Sequence, residues 1–378
     1  MADTIKKLTI EGFRSIRKLD DFELGALNVL IGPNGAGKSN FVGFFRLLRE
    51  LINRRLQVEL QRIEGGADAC LYLGPKITEQ LAAKLYFGDK EYEFSLLPTP
   101  ANELVFSDEA MMTFFENHGE GRVSFGSGHF EAKLKDRKNE GSDLAGRIFN
   151  ALSSWVVYHF DDTSLNAAVR RPRALNDNDS LRQNAENLAP FLYRIMVKDR
   201  AVYTRIRDLV RLAAPFFDDF NLRPIPTSPN EIQLEWRQKN SDYPFRANQL
   251  SDGTLRFICL ATALLQPSPP PTMLFDEPEL GLHPYALTLL GNLFKQVTEA
   301  DGTQVIISTQ SAQLLNEFAP EDIIVVERSN SESTFRRLKP EDLSEWLEDY
   351  TLGELWQKNI LGGRPRQNRS LEPVSEGR

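Results

Sequence analysis

Residues 32–40 read G-P-N-G-A-G-K-S-N and fit G-x-x-x-x-G-K-[ST], the loop that wraps nucleotide phosphates. Ahead of the loop runs Leu-Asn-Val-Leu-Ile at 27–31, a short apolar run that reads as a buried strand. Behind it, Phe41, Phe44, Phe45, Leu47, Leu48 and Leu51 recur at helical spacing. Strand, glycine loop and helix in that order commit the chain to an α/β fold with a phosphate site at the joint. Gly32, Gly35 and Gly37 let the backbone turn through conformations closed to other residues. The N–H groups then converge as an anion nest at a helix N-terminus. Lys38 supplies a cation for the β- and γ-phosphates, and the Ser39 hydroxyl can ligate Mg²⁺. Asn34, Gly35, Ala36, Gly37, Lys38, Ser39 and Asn40 are the expected nucleotide contacts of this loop.

A second half of the chemistry lies more than two hundred residues downstream. An apolar strand at 272–275 ends in Asp276 and Glu277. An acid at a strand end beside a phosphate loop can hold the Mg²⁺ hydration shell, which is the role expected of Asp276. Glu277 is then placed to orient and deprotonate the attacking water.

Between and after these motifs the pattern changes twice. Strands are expected at 5–10 and 21–24, before the loop. Over 69–131, short segments (69–73, 80–87, 91–97, 103–106, 121–125 and 129–133), several of them alternating, read as an antiparallel meander, with a hairpin turn at Gly88-Asp89-Lys90. Residues 144–152 read as a helix and 155–160 as a buried strand. A polar linker covers 161–180, and 181–214 reads as strongly helical with one apolar stripe. The opposite face carries Arg194, Lys198, Arg200, Arg205, Arg207 and Arg211; it reads first as a solvated helix face, since Glu186, Asp199 and Asp208 dilute the charge, and second as a local basic patch for DNA phosphates. From 248 to 327 helices and strands alternate again. The expected division is 1–160 for the N-terminal part of a head with the meander, 161–247 for a helical lobe, 248–361 for the C-terminal part of the head, and 362–378 for a disordered tail.

Composition narrows the class. The 378 residues carry 45 basic and 53 acidic side chains, a net charge of −8, so any nucleic-acid contact must use a local patch. Cys70 and Cys259 sit in apolar surroundings and read as core thiols of a reducing compartment. The N-terminus has no apolar signal segment and no run approaches a membrane span, so a cytoplasmic protein without a membrane partner is expected. His118, His129, His159 and His283 are scattered and form no cluster at metal-ligand spacing.

The motifs together resemble a known family. Leu250-Ser251-Asp252-Gly253-Thr254 resembles the L-S-G-G-Q signature of ATP-binding-cassette (ABC) ATPases, in the L-S-D-G-T form of the RecF/SMC-like branch. Residues 276–284, D-E-P-E-L-G-L-H-P, match that branch's D-E-P-E-x-x-L-H-P segment, with 280–283 in the place of the D-loop. Residues 306–311 look like the switch strand, with Gln310 where many members carry His. The opening L-T-I-E-G-F-R-S is similar to the branch's first strand and turn, and puts Arg14 and Ser15 near the nucleotide. The segments W-L-E-D-Y and L-G-E-L-W at 346–356 resemble stand-alone RecF-like ATPases of the AAA family.

The resemblance implies an ABC-type P-loop NTPase head with an antiparallel β subdomain and an inserted helical lobe. It implies ATP and Mg²⁺ as ligands, Ser39 and Asp276 at the metal, and Lys38, Glu277 and Gln310 as catalytic residues. It implies a head-to-tail homodimer in which Ser251 and Gly253 reach the γ-phosphate of the partner's ATP. The glutamine loop is placed at 158–162. The expected role is ATP-driven dimerisation in DNA repair or defence against foreign DNA. The alternative is an ATP-gated scaffold that controls an effector such as a nuclease, for which Gln310 and the altered signature speak.

Overall fold

The computed structural model describes residues 4–115, 119–300 and 302–362. The expected disordered tail falls, from 363 onward, outside the described residues.

In chain order, β1 (Lys7–Phe13) and β2 (Ile16–Glu23) form a hairpin, and β3 (Leu27–Ile31) runs into the glycine loop and α1 (Lys38–Ile52). A short α2 (Leu56–Arg62) leads to the meander: β4 (Leu81–Phe87), β5 (Lys90–Pro98), β6 (Leu104–Phe115) and β7 (Gly119–Ser124). These join β1 and β2 in one antiparallel sheet of order β2-β1-β4-β5-β6-β7. The expected turn closes β4 onto β5, pairing Phe87 with Lys90.

Two segments expected as strands form no strand of this sheet, meeting it only at Leu71 and at Gly128–His129. Residues 68–70 form a 3-10 turn, and only Leu71 bridges back to Phe13. Residues 129–134 are drawn to Glu109, whose fully buried carboxylate accepts from Tyr92 Oη, at 2.8 Å, and from the Lys133 and Leu134 amides. It also meets His129 Nε2 at 2.7 Å. A buried carboxylate left unbonded would cost several kcal/mol, so its donors override the strand pattern.

After α3 (Leu134–Asn139) and α4 (Asp143–Ser153), β8 (Val156–Tyr158) enters the second sheet. The lobe follows, with β9 (Arg173–Ala174), α5 (Leu188–Lys198) and α6 (Arg200–Ala213). The long helix expected over 181–214 is thus two helices. Asp199 leaves helical backbone geometry and its carboxylate caps α6 by accepting from Val202 N at 3.1 Å. Beyond them, β10 (Phe217–Phe220), β11 (Pro224–Ile225), β12 (Ser228–Ile232), β13 (Glu235–Gln238) and β14 (Pro244–Arg246) make two small sheets, β10-β13-β14 and β11-β12-β9. The lobe therefore carries sheet as well as helix, because 224–246 is built from short hairpins. Most of the arginines on its basic face are paired: Arg194 with Asp179, Arg207 with Asp208 and Asp219, Arg211 with Asp208 and Asp218.

The chain then alternates: α7 (Asp252–Leu265), β15 (Thr272–Asp276), α8 (Pro284–Ala300), β16 (Gln304–Thr309), α9 (Ala312–Leu315), β17 (Ile323–Ser329) and β18 (Glu332–Arg337), closing with α10 (Ser344–Leu347) and α11 (Leu352–Gln357). The second sheet has the order β18-β17-β3-β16-β15-β8, parallel throughout except for β18. Its central strands β3, β15 and β16 are buried on both faces, as a doubly covered parallel sheet requires. Leu30, Leu274, Ile306 and Ile324 face the core shared with α1 and the antiparallel sheet. Val29, Phe275, Ile307 and Val325 face the core shared with α7, α8 and the lobe. On α1, Phe41, Phe44 and Phe45 are fully buried, each worth about 1.5–3 kcal/mol. The glycine loop is thus anchored by a strand with no exposed face and a helix with a fully buried aromatic stripe. Among the described residues, no helix is long and apolar enough to cross a membrane.

Candidate nucleotide-binding site

The C-terminal ends of β3, β15, β16 and β8 converge at one rim, where an open parallel sheet takes its ligands. At β3 the chain leaves through the glycine loop. Helix α1 begins at Gly37 with no side-chain cap and no acidic residue in its first turn. Its first N–H groups are left for an anion, and the macrodipole favours one there. Gly37 itself has φ +117°, and an added Cβ would collide with Ser333 Oγ.

Lys38 is buried, and its Nζ donates to Gly32 O at 2.7 Å and Pro33 O at 3.2 Å. Burial lowers its pKa, opposed by the charges of Glu277, Asp276 and Glu279. The loop and the downstream carboxylates therefore share one electrostatic site. Asn34, Gly35 and Ser39 are exposed, whereas Ala36 is buried.

Three residues expected near the nucleotide, Arg14, Ser15 and Asn40, make contacts within the fold. Ser15 is 4% exposed and sits behind the loop, its Oγ accepting from Asn40 Nδ2 and from Ser333 Oγ, both at 2.7 Å. Ser333 Oγ is also close enough to bond Ala36 O, and its amide donates to Ser15 O at 2.7 Å. Ser15 and Asn40 thus brace the loop through β18. Arg14 stacks its guanidinium on Phe13 and reaches α1 at Gly43, where an added Cβ would stand 3.2 Å from Nη1.

At β15, the Asp276 carboxylate accepts from Ser308 Oγ on the neighbouring strand. Glu277 follows with φ +46°, a left-handed backbone that costs a residue bearing a side chain on the order of 1–3 kcal/mol. The turn is held by Glu277 N donating to Ser308 O at 2.9 Å. Glu277 Oε1 accepts from the Gln310 side-chain amide. Glu279 accepts from Gln310 N at 2.7 Å through Oε1, and burial raises its pKa. Both carboxylates are therefore tied to the segment after β16.

The signature segment opens α7. Ser251 is exposed and caps the helix, accepting from Thr254 N at 3.2 Å. Gly253 packs against Gly281 so closely that an added Cβ would collide with Gly281 O. Asp252, the departure from the usual glycine, bonds Arg170 at 2.7 Å. The Arg170 side chain is 2% exposed and also donates to Thr163 O at 2.9 Å, Ala247 O and Leu250 O. Arg256, one turn into α7, donates to Phe160 O, Asp161 O and Leu280 O. Two buried arginines thus join the signature helix to 160–163 and to the loop after Glu277. Replacing Arg170 by Met strands three carbonyls and should cost about 3–5 kcal/mol in chemical denaturation, against about 1 kcal/mol for Asp252→Gly.

The loop at 158–162, expected as the glutamine loop, leaves β8 beside β15, and Asp276 acts electrostatically on His159 and Asp161. His159 contacts Arg46 on α1, and burial, with Arg46, lowers its pKa to about 4. A folded-state pKa below the unfolded value of 6.5 means that the unfolded chain binds the extra proton between those values. Stability from this residue falls as pH drops from 6.5 toward 4. In thermal melts, His159→Gln should flatten that acid limb.

Sequence reading missed Arg170, Arg256, Ser308 and Ser333. Ser333 meets Ser15 across 318 positions, and no local pattern announces such a contact.

A parallel sheet feeding an uncapped glycine loop, with strand-end carboxylates acting on its lysine, defines a nucleotide-binding P-loop NTPase head of the ABC type. The chain belongs to the family described as "AAA domain, putative AbiEii toxin, Type IV TA system", which matches residues 27–316. Among the curated proteins, no sequence matches. Among solved structures, the Smc head bound to the C-winged helix domain of ScpA superposes with TM-score 0.59 at 16% identity, covering 90% of this chain and 99% of that one. The Smc head domain with an extended coiled coil, bound to the C-terminal domain of ScpA and derived from Pyrococcus furiosus, gives 0.56 at 16% identity, covering 92% and 99%. The fold is that of SMC-type ATPase heads, as the resemblance implied.

Proposed function

We propose that the chain is a Mg²⁺-dependent ATPase whose two copies close around ATP. One observation carries the reading. Lys38, Asp276 and Glu277 share a site, whereas Ser251 and Gly253 open an exposed helix start, and none of the described hydrogen bonds ties them to the glycine loop. A γ-phosphate on that loop would lack the signature donors of its own chain, so a second copy completes the site.

The residues fit the ligands. The uncapped α1 N-terminus, exposed Gly35 and buried Lys38 suit a polyphosphate. Ser39 and Asp276 offer oxygen donors, and a hard cation there would draw the rest of its shell from phosphate and water. When bound, the metal neutralises charge on the phosphates. Glu277 would take the proton of the attacking water, and Gln310 would hold the carboxylate in place. Ser251, with the N-terminus of α7, would stabilise the γ-phosphate across the interface.

If two copies build each site, turnover per chain should rise with protein concentration and then saturate. A flat specific activity from dilute to concentrated protein would argue for a self-sufficient monomer.

One contact favours a second reading. The Gln310 amide already occupies Glu277 Oε1, so the base is engaged at rest. This suits an ATP-gated switch with little turnover that controls an effector such as a nuclease. Brisk phosphate release by the chain alone would exclude it. The setting proposed for either version is DNA repair or defence against foreign DNA, supported by the resemblance to the RecF/SMC-like branch. With most arginines of the lobe paired, Lys198, Arg200 and Arg205 are the cations offered to DNA phosphates.

A further inference from the structure

The turn after β15 presents two carboxylates to one residue. Glu277 meets the Gln310 side chain, and Glu279 meets the Gln310 backbone. Only the buried Pro278 stands between the two acids. The proposed reaction uses Glu277 as its base and makes no demand on Glu279.

Glu279 grips the end of β16 at more than one point. Its Oε1 accepts from Gln310 N at 2.7 Å, and the Thr309 side chain bonds the same carboxylate. Thr309 is fully buried, and its Oγ1 accepts from Ser311 N at 3.0 Å. Ser311 in turn caps α9, accepting from Leu314 N at 3.1 Å. The Gln310 main chain is thus fixed on both sides, although the residue lies at the exposed end of its strand.

A glutamine side chain has several rotatable bonds, and holding it in one place costs rotamer freedom. The Gln310 amide can keep Glu277 Oε1 at one point only if its own backbone is fixed. Glu277 has the same need. Its left-handed backbone at φ +46° persists only where the surroundings over-determine it. Three bonds do so: Glu277 N to Ser308 O at 2.9 Å, Leu280 N to Glu277 O at 3.3 Å, and Gln310 N to Glu279. Glu277, Glu279 and Gln310 therefore close a ring across the ends of β15 and β16. Within it, Glu279 sets the backbone of Gln310, and the Gln310 amide sets the carboxylate of Glu277.

We infer that Glu279 is a positioning residue for ATP hydrolysis, acting on the base Glu277 through Gln310. The inference rests on the proposed ATPase reading. It requires an acceptor oxygen at position 279, which glutamine supplies and alanine does not.

The test measures steady-state hydrolysis by the full chain with ATP and Mg²⁺, well below the melting temperature of every variant. Glu279→Ala should lower kcat about tenfold to a hundredfold, the scale of a displaced catalytic group, with KM unchanged. Glu279→Gln should keep kcat near the wild-type value, since it offers the same acceptor to Gln310 N. Gln310→Ala should cost as much as Glu279→Ala, and the double variant no more than either, because the two residues act in series. Three results overturn the role. Glu279→Gln as slow as Glu279→Ala would make the charge the active feature. A raised KM with kcat intact would place Glu279 in nucleotide binding. Costs that multiply in the double variant would mean that Glu279 acts without Gln310. Failure of the ATPase reading looks different: the wild type itself would release no phosphate, and this role would fall with it.

Discussion

Glu277→Gln lowers ATP turnover by about 10²–10⁴-fold and leaves ATP binding intact, the range of a lost general base. The substitution removes the proton acceptor and little else. Glutamine keeps an oxygen for the Gln310 amide, and the bond from Glu277 N to Ser308 O does not involve the side chain. The left-handed backbone at φ +46° is equally strained with either residue, so fold stability should barely change. Single-turnover hydrolysis and nucleotide affinity, measured side by side, check both halves. Loss of binding along with turnover would mean that Glu277 holds the nucleotide instead of acting on water.

Lys38→Ala gives the opposite pattern. Nucleotide affinity should fall about a hundredfold or more, because the one buried cation of the loop is lost, and charge-assisted bonds to phosphate are each worth about 1.5–3 kcal/mol. The empty fold should tolerate the change. Lys38 Nζ rests on the carbonyls of Gly32 and Pro33, and its burial opposes its charge. Melting of the free protein within a few degrees of wild type, with weak calorimetric binding of ATP, is the expected combination. Wild-type affinity in this variant would move the nucleotide elsewhere.

How far the sequence carried this reading depended on the range of each interaction. The glycine loop, Leu27–Ile31, α1 and β15 were legible because each rests on local spacing or on a run of buried residues. The Asp276–Glu277 pair was legible because it ends an apolar strand. What escaped depends on distant partners. Glu109 pulls 129–134 out of the strand pattern through bonds that span twenty or more positions. Asp199 splits an apolar stripe that periodicity carries through without a break. Asp252 read only as a departure from a glycine until Arg170, 82 positions earlier, supplied its partner. Ser15 was placed by its motif near the nucleotide, and its contact with Ser333, 318 positions away, was not legible. The common cause is that buried polar groups choose partners by burial and geometry, and neither is written in local periodicity.

The central claim is that one chain holds half of each ATP site. The most direct measurement is the solution mass of Glu277→Gln, by sedimentation or light scattering, without nucleotide and with ATP and Mg²⁺. A monomer that becomes a dimer only with ATP, and reverts when Ser251→Arg is added to block the exposed helix start, is the predicted result. A single mass under all conditions, with ATP bound, would contradict it.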